Sequence, residues 1–199
     1  YGYVLNDEPV YFDVTEDNSS EESAVTVVVV ERPNMAQKGV INITKTGEVF
    51  STVTESSGVY QPVYEVKGIA GAVYEITAAE DIITPDGTLR YAKGEVVDTV
   101  TTGADGIAAT KELYLGKYEI REITAPYGMV VNGEVHTAEL TYAGQEVSIT
   151  ETAASFYNER QKVKVELSKT LETDELFGIG ANGEITAVSF GLYAAEDIA

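Results

Sequence analysis

The chain repeats itself at the distance of one domain. Residues 1–8 read YGYVLNDE and residues 127–134 read YGMVVNGE, an offset of 127 − 1 = 126. Residues 41–46 (INITKT) return at 165–170 as VELSKT, an offset of 169 − 45 = 124 at the lysine, and the AAED of 78–81 returns at 194–197. This period is too long for a solenoid or propeller unit and has the size of a domain. The 199 residues therefore divide into the C-terminal part of one repeat (1–36), a complete domain (37–160) and the N-terminal part of a third repeat (161–199).

Within the complete unit the hydrophobic period is two. AVYEITAAE, KYEIREI and VSITETAASFYN alternate or run β-rich between turn signals such as Lys38-Gly39, Pro85-Asp86-Gly87, Asp105-Gly106 and Asn132-Gly133. Residues 78–83 have room for one helical turn at most, and no segment sustains a helical stripe. Many short strands with spaced turns predict an all-β, Ig-like sandwich of the Greek-key kind. Residues 33–39 and 159–162 read as joints between repeats, the first as a linker, and 17–23 and 55–58 as exposed loops.

Composition narrows the function. The net charge of −20 argues against nucleic acid and anionic membrane as partners, because phosphate needs a basic face. The charge suits an exposed extracellular protein. There is no run of 18 apolar residues to span a bilayer, and export and anchoring signals are expected outside this stretch. With no cysteine, no disulfide is available to staple the domain, so another cross-link is worth seeking.

Side-chain alternation places three polar residues on apolar stripes. Lys45 follows Ile41 and Ile43, Glu122 follows Tyr118 and Ile120, and Asn158 follows Ala154 and Phe156. Each alone reads more simply as a surface residue: a snorkelling lysine, a solvated carboxylate, an asparagine closing a strand. Together, at one depth, they would satisfy one another or react, since each is expensive to bury unpaired. Glu119 is the rival carboxylate, but it shares no face with Tyr118 and Ile120.

The run from Leu115 to Gly128, LGKYEIREITAPYG, with Asp105-Gly106 upstream, resembles the L-x-G-x-Y-x-L-x-E-x-x-A-P-x-G-Y signature of Cna B-type domains. These SpaA-type, prealbumin-like domains occur in Gram-positive adhesins and pilins. The resemblance implies a prealbumin-like sandwich and an autocatalytic Lys–Asn isopeptide bond between first and last strands. Lys45 would be the nucleophile, Asn158 the electrophile and Glu122 the catalyst. Burial favours the neutral amine and neutral acid that such a reaction needs. In the flanking repeats, Lys169 matches Lys45. Asn34 lies 45 − 34 = 11 residues before its lysine, as Asn158 lies 169 − 158 = 11 before Lys169. Aligning Glu31-Arg32 on Glu159-Arg160 would instead put Val30 at that place. Neither flank is expected to form a bond in this chain.

The resemblance implies a structural stalk or repeat module on a cell-wall-anchored, extracellular Gram-positive surface protein, with neighbouring repeats as partners. The alternative is a module gripping host matrix protein or glycan, for which tyrosines between Val59 and Tyr64 offer a face. A turnover enzyme is not expected, nor is any cofactor or metal. His136 is the single histidine, and Asp81, Asp86 and Asp105 do not form a D-x-D-x-D-G loop.

Overall fold

The computed structural model describes residues 1–13, 28–170, 172, 174, 176–178, 188–193 and 195. The loop expected at 17–23 and most of the 194–197 copy lie outside them. Eleven strands follow in order: β1 Lys38–Ser56, β2 Val59–Gly68, β3 Val73–Ala78, β4 Ile82–Ile83, β5 Leu89–Tyr91, β6 Val96–Thr101, β7 Ile107–Ala109, β8 Leu113–Tyr114, β9 Gly116–Thr124, β10 Val135–Leu140 and β11 Ile149–Asn158. None of the described residues is helical. The short helical turn allowed at 78–83 is instead the end of β3, a bend and β4.

Two sheets face each other. One has the order β11-β1-β2, with β7 and β8 also paired to β1; the other has the order β10-β9-β3-β6. A β4-β5 pair stands apart. β1 organises the first sheet. One edge pairs in parallel with β11 from Lys38↔Ile149 to Gly47↔Asn158, so the first and last strands of the domain lie side by side. The other edge takes β8, β7 and β2 in turn.

Alternation sorts the residues as expected for a sandwich. Ile41 and Ile43 of β1, Tyr74, Ile76 and Ala78 of β3, Tyr118 and Ile120 of β9, Leu140 of β10 and Phe156 of β11 form one buried core. The Tyr74 and Phe156 rings meet across the sheets at 4.6 Å. Burial of each such large side chain contributes about 1.5–3 kcal/mol.

β1 is 19 residues long and outruns the core. Its second half pairs with β2 as an exposed ribbon, closed by a two-residue turn with positive φ at Ser57 (54°) and Gly58 (77°). The loop expected at 55–58 is thus the tip of this hairpin. The linker expected at 33–39 is also docked. Tyr3 bridges Ala36, Gln37 is buried and β1 begins at Lys38. Among the described residues no helix is long and apolar enough to cross a membrane.

Candidate cross-link site

Lys45, Glu122 and Asn158 meet in the dry interior between the sheets. All three are buried, at 0%, 2% and 1% exposure. Lys45 and Asn158 come from adjacent parallel strands. Lys45 is level with Phe156, and Asn158 is two residues further along, level with Gly47. Amine and carboxamide are thus carried on neighbouring strands two residues apart in register. Gly47 lets the β11 backbone come close at this level: a Cβ there would lie 2.9 Å from the main-chain oxygen of Asn158 and 2.7 Å from Ile69 Cδ1.

Glu122 reaches across from β9 in the opposite sheet and touches both partners. Asn158 Nδ2 donates to Glu122 Oε1 and Oε2, each at 2.8 Å. Lys45 Nζ lies 3.9 Å from Glu122 Oε1 and donates to the Thr46 carbonyl at 3.2 Å. Asn158 Oδ1 is buried with no hydrogen-bond partner, a ground-state cost of about 1–3 kcal/mol. Burial pushes the Lys45 amine down to about 8, against the opposing pull of the Glu122 carboxylate. About a tenth of the amine is therefore neutral at pH 7.

Two residues join this cluster that the strand pattern alone did not single out. Tyr74 stands directly opposite Glu122 on β3, its hydroxyl buried beside that carboxyl. Burial, and then the Glu122 charge, push that hydroxyl's pKa up. Asn132 closes the site from the loop after β9. Its backbone N–H donates to Glu122 Oε2 at 2.6 Å, and its Nδ2 donates to the Tyr157 carbonyl at 3.3 Å. The signal for Asn132 lay in the repeat, where Asn6 holds the matching place. Glu119 is exposed on the outer face of β9.

The flanking residues lie elsewhere. Lys169 is exposed and outside any strand, and Asn34 is exposed. Hydrogen bonds nonetheless give Asn34 a register. Val4 N donates to the Met35 carbonyl as Val130 N donates to that of Glu159, at 2.8 and 2.9 Å. Asn6 Nδ2 donates to the Pro33 carbonyl as Asn132 Nδ2 does to that of Tyr157, both at 3.3 Å. Met35 thus stands in the place of Glu159, which puts Asn34, not Val30, in the place of Asn158.

The remaining polar residues are spent on local structure. Asp86 and Asp105 accept backbone N–H bonds from Thr88 and Ile107 within their own turns, and Asp81 accepts one from Lys93 in a neighbouring turn. His136 sits on β10, its ring 4.2 Å from that of Phe156 and 3.6 Å from Glu134 Oε2. Tyr60 is exposed on the β1–β2 ribbon, whereas the Tyr64 ring lies under the Arg160 guanidinium at 5.0 Å.

Residues 63–153 match the family model of the SpaA prealbumin-like fold domain. That stretch of the chain is similar to a SpaA-type, prealbumin-like domain. Solved structures similar to it include the Bacillus anthracis TIE protein, at 22% identity and a TM-score of 0.39 over 64% of this chain and 17% of that one. The minor pilin of Streptococcus agalactiae matches at 13% and 0.42 over 67% and 49%. The major pilin SpaD of Corynebacterium diphtheriae matches at 18% and 0.36 over 63% and 31%. The chain thus spans less than half the length of each. Among curated proteins there is no match. The likeness to the SpaA-type domain rests on the family match and on the two-sheet architecture described above.

Proposed function

We propose that this chain is a structural stalk module of a Gram-positive cell-surface adhesin or pilus-like protein, stiffened by an amide bond between Lys45 Nζ and Asn158 Cγ. The observation that carries this reading is the buried carboxyl of Glu122, in contact with both amine and carboxamide. Neutral Lys45 attacks Asn158 Cγ. The Nζ–Cγ bond forms, the Cγ–Nδ2 bond breaks, and Nδ2 leaves as ammonia. The proton lost by the amine passes through Glu122, which already accepts hydrogen bonds from Nδ2, the leaving nitrogen. The same two hydrogen bonds hold the carboxamide in one orientation beside the carboxyl. The fold supplies proximity, by holding one strand against the other in fixed register. The reaction happens once per molecule, so it is maturation and not turnover.

In this reading residues 1–36 and 161–199 belong to neighbouring repeats. Asn34 is the acceptor for a lysine of the preceding repeat, and Lys169 is the nucleophile of the following one. The alternative, a module that grips host matrix or glycan, has the exposed β1–β2 ribbon in its favour, where Val53, Tyr60 and Val66 face solvent.

The pH dependence of maturation tests the mechanism. A chain released from cell-free translation into buffers between about pH 6 and about pH 9 should lose ammonia faster as pH rises. The rate should climb by up to about tenfold per unit below the Lys45 pKa of about 8 and level off above it. A rate independent of pH across that range would refute neutral Lys45 as the limiting nucleophile.

A further inference from the structure

The repeat extends beyond the bond to the joint between domains. Gln37 N donates to the Gly2 carbonyl at 2.8 Å, and Gln161 N donates to that of Gly128 at 2.9 Å. Tyr3 bridges Ala36 as Met129 bridges Arg160. Gly2 and Gly128 both sit at positive φ, 80° and 74°. The Tyr-Gly turn and the strand exit are therefore the same structure at both ends of the domain.

The two copies differ in what covers them. A Cβ on Gly2 would lie 2.6 Å from Pro85 Cγ, whereas one on Gly128 would meet nothing within 4 Å. The Tyr1 ring lies 4.7 Å from that of Tyr142 but stays 94% exposed, and Tyr127 is exposed too, so the turn is seated through Gly2 and not through the tyrosine. Leu5 N donates to the Gln145 carbonyl at 2.7 Å. Gln37 is buried. Its Nε2 donates to the Gly144 carbonyl at 2.9 Å and to that of Val147, and its Oε1 accepts from Ala143 N at 2.9 Å. Gln161, one period later, is exposed. The base of the domain is a seat, and the turn of the preceding repeat fills it.

We infer that the exposed Tyr127-Gly128 turn and Gln161 are the plug half of a second joint, and that their partner is the base of the following copy of this domain. Each repeat presents a plug at one end and a seat at the other, so the array is a directional rod with coupled domains. The inference rests on the tandem-repeat reading and is independent of whether Lys45 and Asn158 are bonded.

The test uses the full chain lengthened by an in-frame duplication of residues 37–160, which follows the 124-residue period 161 − 37. The two copies should tumble as one rigid body in NMR relaxation. The peptide around Gly128 in the first copy should gain hydrogen-exchange protection to match that around Gly2. Gln37→Ala in the second copy should loosen that joint while the mass loss per domain stays as it was. Independent tumbling of the two copies, or an unprotected Gly128 turn, would overturn the joint without touching the cross-link. Loss of the ammonia deficit with rigid tumbling retained would overturn the cross-link and leave the joint.

Discussion

Pulled from its two ends, the wild-type domain should yield almost no length, and Glu122→Gln should yield about 400 Å more. The difference follows from where the bond sits. β1 and β11 are parallel neighbours, so tension on the entering and leaving chain shears one along the other. With Lys45 joined to Asn158, force enters through Lys38 to Lys45, crosses the amide and leaves. The chain between them, 158 − 45 = 113 residue steps long, carries none of it. Without the bond that chain unravels, and 113 steps at about 3.5 Å each account for the extra extension. Single-molecule force spectroscopy reads this directly. A wild-type trace with the same unfolding step as Glu122→Gln would remove the mechanical role.

Heat should separate the same two proteins widely. By analogy with a disulfide, closing a loop of ~100 residues stabilises by about 4.7 kcal/mol through the unfolded chain. For a domain of this size that corresponds to a fall in Tm on the order of 15–20 °C in Glu122→Gln. That substitution keeps the side-chain shape in the buried site while removing the acid. Glu119→Gln, on the exposed face of the same strand, should leave Tm within about 2 °C of wild type. Calorimetry on the three proteins checks both. Equal Tm for wild type and Glu122→Gln would mean that no stabilising cross-link forms.

Much of this geometry was legible in the sequence, because period-two alternation fixes which side chains enter a sandwich. Ile41, Ile43 and Lys45 had to share a face, as did Tyr118, Ile120 and Glu122, and all six are buried. Tyr74 was on the page in the same sense, one residue into the alternation of β3. Its place opposite Glu122, however, depends on strand pairing that no local pattern encodes. Asn132 looked like a turn residue because its Asn-Gly pair dominates the local signal. Its contact with Glu122 comes from the path of the loop over the end of the sheet.

The joint was the hardest part to read. Residues 33–39 combine Pro, Asn, Gln and Gly, the composition of a flexible connection. Gln37 is nevertheless buried, because its amide satisfies three backbone groups of the 143–147 loop at once. A glutamine carries neither hydrophobic period nor charge, so only tertiary structure reveals that role. The length of β1 escaped for a related reason. Beyond Gly47 the strand leaves the core and loses its burial alternation, so what continues there is hydrogen bonding to β2.

The intact mass of the purified wild-type chain is the most direct test of the cross-link. The expected result is a mass below that of the sequence by one ammonia, with full mass restored in Lys45→Ala, Asn158→Ala and Glu122→Gln. A wild-type chain at its full sequence mass would contradict the bond, leaving Lys45, Glu122 and Asn158 as a buried polar cluster in an ordinary sandwich.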